Sequence, residues 1–203
     1  HVGRRQLQKA YFWVFHSFGQ SLYFATDNQK LLVAMKRIGI FYGSSTGTCE
    51  ELAGMIADRL GVDKGDVHSA DRLSADLVAR YDVLLLGTST WGDGELQDDW
   101  YDGIRVLNSS DLTGKDVALF GCGDSESYAD TFCDAMGLLY EGLKGSGCHF
   151  IGGGVSADGY MFSSSVAVVD GNFVGLALDE VNESDRTPQR IDDWIATLRP
   201  LLD

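Results

Sequence analysis

Lys36-Arg37-Ile38-Gly39-Ile40-Phe41-Tyr42-Gly43-Ser44-Ser45-Thr46-Gly47-Thr48-Cys49 is the stretch on which the reading of the fold turns. Its first half is an apolar run ending in glycine, the pattern of a buried strand. Its second half is a loop dense in hydroxyls, with neither Lys nor Arg. Behind the loop, Cys49–Leu60 sets Leu52, Ile56 and Leu60 at helical spacing, with Ala53 and Ala57 beside them and Gly61 as a natural stop. Strand, loop and helix in that order put the loop at a helix N-terminus. Free backbone N–H groups and the positive end of the helix dipole favour an anion there, and phosphate suits such a site. The Gly-Lys-Ser/Thr ending of a Walker loop is missing, so nucleoside triphosphate hydrolysis is not expected. Taken alone, the segment reads equally well as an ordinary Ser/Thr-rich turn.

Downstream, strands and helices keep alternating. Val83–Gly87 and Val117–Gly121 are continuous apolar runs of the kind found in buried parallel strands. Phe132–Leu143 is helical, with Phe132, Ala135, Met136, Leu139 and Leu143 on one side. Phe150–Val155 reads as a fifth strand bearing three consecutive glycines, and Arg190–Leu202 closes the chain with Ile191, Trp194, Ile195 and Leu198 at helical spacing. The alternation predicts an α/β fold, a doubly wound parallel sheet with helices on both faces. Ligands of such sheets bind beyond the carboxyl ends of the strands, at a topological switch point.

Two further loops lie at such strand ends. Ser89-Thr90-Trp91-Gly92-Asp93-Gly94-Glu95 follows Thr88 at the mouth of the third strand. Trp91 there offers a flat face for stacking, and the glycines around Asp93 permit positive φ. The alternative is a tryptophan folded back over the core. Gly121-Cys122-Gly123-Asp124-Ser125-Glu126-Ser127-Tyr128-Ala129-Asp130 follows the fourth strand. Tyr128 either covers the opposite face of a ring stacked on Trp91 or packs on its own helix. Together the three loops supply a phosphate cradle and two aromatic plates, which suits a flat ring system with a phosphate tail.

The chain has 203 residues, 44% of them hydrophobic, and a net charge of −14. Residues 1–34 hold four of the 16 bases and one of the 30 acids, so the remainder carries 29 acids against 12 bases. So acidic a surface repels nucleic acid and anionic membrane and favours basic protein partners. Cys49, Cys122, Cys133 and Cys148 form no C-x-x-C pair, and the four histidines are scattered. No zinc site, iron–sulfur motif or disulfide framework is expected, and reduced thiols point to the cytoplasm. No apolar run approaches the length of a membrane span. Before Met35 there is no clear period, only a cluster of aromatics at Tyr11, Phe12, Trp13, Phe15 and Phe18. Residues 1–34 read as an N-terminal extension, or else as an amphipathic docking segment, ahead of a domain spanning 35–203.

The run from Ile38 to Thr48 closely resembles the phosphate loop of flavodoxins. Thr90-Trp91 with Gly94-Glu95-Leu96-Gln97 is similar to the first isoalloxazine loop of that family, and Gly123-Asp124 with Tyr128-Ala129-Asp130 and Phe132 to the second. Phe173–Glu180 resembles long-chain members, and the stretch near Val155–Phe173 the extra loop that splits their last strand. The resemblance covers Lys36 to about Leu202. It implies the flavodoxin-like strand order 2-1-3-4-5 and non-covalently bound FMN. Ser44, Ser45, Thr46, Gly47 and Thr48 would hold the phosphate, with Cys49 where the family usually has threonine. Ser89, Thr90, Gly92, Asp93 and Gly94 would border the ring, Trp91 and Tyr128 would sandwich it, and backbone around Cys122, Gly123, Asp124 and Asp130 would meet its pyrimidine edge. Ser89 stands where long-chain members often have proline, and Gly92 where many have a bulkier residue. The implied function is a monomeric, low-potential one-electron carrier shuttling between semiquinone and hydroquinone. It would dock flavin reductases and iron–sulfur oxidoreductases on an acidic face, and it would not itself be an enzyme.

Two other classes use related folds. An FMN-dependent NAD(P)H:quinone reductase needs room for nicotinamide over the ring, which an aromatic sandwich blocks and an acidic rim opposes. A phospho-receiver module carries an acidic pair at the end of the first strand, where this chain has Gly43 and Ser44.

Overall fold

Successive residues of a strand point to opposite faces of a sheet, and the central strand here buries both. Leu84 and Leu86 enter one core, while Val83 and Leu85 enter another. A computed structural model describes residues 35–202; the N-terminal extension read from the sequence lies outside the described residues. Its strands are β1 (Ile38–Gly43), β2 (Val67–Ser69), β3 (Val83–Trp91), β4 (Glu95–Leu96), β5 (Asp116–Cys122), β6 (His149–Ile151), β7 (Val155–Ser156), β8 (Val168–Val169), β9 (Asn172–Phe173) and β10 (Leu176–Leu178). The α-helices are α1 (Thr48–Leu60), α2 (Ala75–Val78), α3 (Asp99–Ser109), α4 (Asp134–Leu143) and α5 (Thr187–Leu202).

The parallel sheet runs β2-β1-β3-β5, with β6 and β10 both pairing with β5 in the fifth position. That is the expected order, with the last position shared by two strands. The short β4 adds antiparallel to the end of β3. Helices α1 and α5 cover one face through Leu52, Ile56, Ile191, Trp194 and Leu198. Helices α3 and α4 cover the other through Trp100, Leu107, Met136, Leu139 and Leu143. Both stripes follow helical periodicity, so each helix buries one side and leaves charged residues outside. Gly61 ends α1 as read, with φ 74°.

Three expectations need correction. The fifth strand does not run from Phe150 to Val155. It stops at Ile151, because Gly152 and Gly154 take φ of 70° and 80°, and Val155 belongs to a separate antiparallel sheet in the order β7-β9-β8. The third apolar strand does not end at Gly87; it continues to Trp91, since β5 supplies pairing partners as far as Ser89 and β4 pairs with Thr90 and Trp91. The helix expected from Phe132 begins only at Asp134, after Cys133 turns the chain with a left-handed φ of 58°.

Candidate functional site

The carboxyl ends of β1, β3 and β5 open into a cleft of about 330 Å³. Thr46 and Thr48 form one wall, Ser89 to Gly92 another, and Cys122 to Asp124 a third. Gly47, at φ 96°, caps α1, and no side chain accepts a hydrogen bond from the first turn of the helix. Those backbone donors therefore remain free for an anion. Ser44 Oγ accepts the Gly47 N–H at 3.1 Å, which fixes the loop internally. Ser45 Oγ accepts from the Gln97 side chain at 3.4 Å, and Gln97 also bonds Asp99. Gln97 is nearly buried and so links the first loop to the second.

Trp91 and Tyr128 both line the cleft, exposed to 39% and 57%. Neither is folded into the core. The Trp91 indole N–H donates to Ser89 Oγ at 2.8 Å, which sets the plane of the ring. Thr90 Oγ1 accepts the Ala135 N–H at 3.3 Å and ties this loop to α4.

The third loop is knotted through two carboxylates. Asp124 accepts the N–H groups of Glu126 and Ser127 and the Asn182 amide. The Ser127 bond leads in holding its carboxyl below the ordinary range. Asp179, at the end of β10, is fully buried and accepts the N–H groups of Ser125, Val181 and Asn182 at 2.9 to 3.0 Å. Burial opposes its ionisation, but the bonds from Ser125 and Asn182 outweigh burial and keep its carboxyl below the ordinary value. The same knot brings Glu180 and Val181 to the cleft.

Of the residues singled out in the sequence, Thr46, Thr48, Ser89, Thr90, Trp91, Gly92, Cys122, Gly123, Asp124 and Tyr128 line this cleft. Ser44, Ser45 and Gly47 shape the first loop beside it. Asp93 is exposed, and Gly94 is pressed against Asp134, where a Cβ would come within 2.8 Å of the carboxylate. Asp130 contributes its carbonyl to a bond with Ser164. The Cys49 side chain departs from the expectation of a thiol standing in for a hydroxyl in the phosphate loop. It is fully buried in the core under α1, and burial, with Cys122 beside it, pushes its thiol well up. Its position at the start of α1 leaves only the backbone N–H to serve an anion. Thr131, Glu180 and Val181 line the cleft without having been singled out. For Glu180 and Val181 the acid after the apolar run ending at Leu178 was the one sequence signal.

Comparison with known proteins agrees with this geometry. The Flavodoxin family profile matches residues 40–194. Flavodoxin 1 of Azotobacter vinelandii is 44% identical over 169 residues, 81% of this chain and 97% of that protein. A Synechocystis flavodoxin is 43% identical, covering 83% of this chain and 99% of its own length. The crystal structure of Fusobacterium nucleatum flavodoxin bound to flavin mononucleotide superposes with a TM-score of 0.76 at 32% identity, over 83% of this chain and 100% of that one. In sequence, strand order and the arrangement of its three cleft loops, the chain belongs to the flavodoxin family.

Proposed function

We propose that the chain is a low-potential one-electron carrier that holds FMN non-covalently in the cleft between the first, second and third loops. One observation carries this reading: the N-terminus of α1, which has no side-chain cap, and two exposed aromatic rings, Trp91 and Tyr128, border the same cleft. A phosphate fits the first and a flat ring system the second. FMN supplies the ability to take and give electrons singly, and the protein supplies position and electrostatics.

The phosphate is held by the hydroxyls of Ser44, Ser45, Thr46 and Thr48 with the backbone of Gly47, Thr48 and Cys49. Trp91 and Tyr128 cover the two faces of the ring. Backbone from Cys122 to Asp124 meets its polar edge, and Ser89, Thr90 and Asp93 to Gly94 shape the opposite border. The Gly92 peptide, already at φ 51°, would offer its carbonyl oxygen as a hydrogen-bond acceptor to the edge of the ring. Asp93, Glu95, Asp124, Glu126, Asp130 and Glu180 surround the site. No lysine or arginine lines the cleft. These surroundings would oppose added negative charge on a bound group, and so would make its fully reduced form a strong reductant.

Among the described residues, no helix is long and apolar enough to cross a membrane. Flavodoxins work with redox partners. For this chain the partners are flavin reductases and iron–sulfur oxidoreductases that present basic faces to Asp93, Glu95, Asp98, Asp99 and Asp102. The carrier is a cytoplasmic monomer.

Stepwise anaerobic reduction of the protein with added FMN, followed in the visible, tests the reading. The expected result is quenched flavin fluorescence and two resolved one-electron steps. Direct passage to the two-electron reduced flavin, with NADPH turnover in the absence of an added reductase, would replace the carrier with a quinone reductase.

A further inference from the structure

All four cysteines are free thiols, and three of them gather behind the cleft. Ala118, Phe120 and Cys122 alternate along β5 on the face that α1 covers, so Cys122 is the last buried side chain of that row. Cys49, Leu52, Ala53 and Ile56 form the facing row on α1, and Cys49 is its first member. Between β1 and β5, β3 presents Leu85, Gly87 and Ser89 to the same face. Gly87 has no side chain, and the Ser89 hydroxyl donates to the Gly43 carbonyl at 3.4 Å, so little bulk stands between the first turn of α1 and the end of β5. There the Cys49 thiol lies beside that of Cys122.

The two neighbours differ in access. Cys122 lines the cleft, whereas Cys49 is fully enclosed. An oxidant small enough to enter the cleft therefore meets Cys122 first. Burial pushes the Cys49 thiol well up, which keeps it inert toward solution, but a sulfur held against it is within its reach. Cys133 belongs to the core on the other face of the sheet, where its sulfur points to the Leu178 carbonyl at 4.0 Å. Cys148 precedes β6, at the opposite end of the sheet from the cleft.

We propose that Cys49 and Cys122 are an oxidation site: hydrogen peroxide entering the FMN-free cleft joins them in a disulfide, and bound FMN prevents this by covering Cys122. The second half rests on the FMN reading given above; the first does not. Peroxide transfers one oxygen to Cys122 Sγ, giving a sulfenic acid and one water. The Cys49 thiol then attacks that sulfur, the S–S bond forms, and the displaced hydroxyl leaves with the thiol proton as a second water. Two thiols are oxidised and one peroxide is reduced. The bond ties the first turn of α1, on the phosphate side of the cleft, to the end of β5, on the ring side, across 73 positions of sequence. It uses only buried side chains, so the backbone donors of the cleft keep their places, and thiols reverse it.

Peptide mapping by mass spectrometry, after hydrogen peroxide treatment of the FMN-free protein, is the test. The expected product is a single chain that lacks two hydrogens and yields peptides joined through Cys49 and Cys122. Closing so long a loop should raise its urea midpoint, and dithiothreitol should undo both changes. FMN at about 100 times its Kd should slow the linkage about 100-fold, while oxidation of Cys148 keeps its rate. In Cys49→Ser, Cys122 should pass on to the sulfinic acid, having lost the thiol that captures it. A link from Cys122 to Cys133, sulfinic acid on Cys122 in the unaltered chain, or no oxidation of Cys122 at all would overturn the proposal. An unchanged linkage rate with FMN demonstrably bound would overturn its second half. Failure of the unaltered chain to bind FMN would sink the flavin reading instead, and the peptide map of the FMN-free protein would still decide whether the two thiols join.

Discussion

The second and third loops line the same cleft and are held in opposite ways. Between Trp91 and Glu95, which pair across β3 and β4, the second loop turns through Gly92 and Gly94 at φ of 51° and 92°. Among the described residues, no hydrogen bond from elsewhere reaches the Gly92 or Asp93 backbone. The third loop has its own turn on Asp124, a buried knot on Asp179 and the bonds from Ser163 and Ser164. One side of the cleft can turn a peptide at little cost, whereas the other is fixed from behind. A step that needs a backbone carbonyl to reorient belongs on the second loop, and a plate that must not move belongs on the third.

Asp179→Ala breaks the fixed side most severely. It strands the N–H groups of Ser125, Val181 and Asn182, and it should lower stability by about 3 kcal/mol in urea unfolding. A cost below about 1 kcal/mol would show that the knot is not what holds the loop. The intact knot also sets an acid limb. A carboxyl whose pKa falls on folding contributes stability above its unfolded value and loses it as pH drops through the folded value. Both Asp179 and Asp124 are lowered, so this stability should be lost below about pH 4. In Asp179→Asn that limb should flatten.

Trp91→Ala tests the pliant side through its plate. Loss of one stacking face should weaken FMN binding roughly 30-fold, with little change in the stability of the FMN-free protein. Gly92→Ala is the mildest change. Its Cβ meets only the movable tip of Glu95, at 2.7 Å, and the left-handed φ costs about 1 kcal/mol. It should narrow the gap between the two one-electron potentials while FMN affinity moves little. An unchanged gap would assign the turning peptide elsewhere.

The sheet was legible where strands are buried on both faces, as in Val83–Leu86, because continuous apolar runs have no other use in so acidic a chain. β2 was not read, since its three residues are only half-buried and form no run. α3 escaped notice because Asp98, Asp99 and Asp102 mask an interior stripe built on Trp100 and Leu107. Most of the cleft was legible because its residues cluster within single loops at strand ends. Glu180 and Val181 were not, since they reach the cleft through a carboxylate knot joining residues 54 positions apart. Which way the Cys49 thiol points was not legible, because helical phase and not residue type decides it. At that phase the thiol enters the core.

At the edge of the sheet, Ile151 pairs with Ala118 and Leu176 with Phe120. Leu119 alone faces the place where the chain leaves and returns, and Gly175 lies so close to its carbonyl that a Cβ there would stand 2.2 Å away. The departure and the return are therefore one step apart in register, and the ladder on β5 closes as though nothing intervened. A detour of this kind costs the fold little more than loop-closure entropy, which grows only slowly with length. The intervening segment can therefore change in length without shifting the register of β5, provided that Ala167 and Phe173 keep their places in the core.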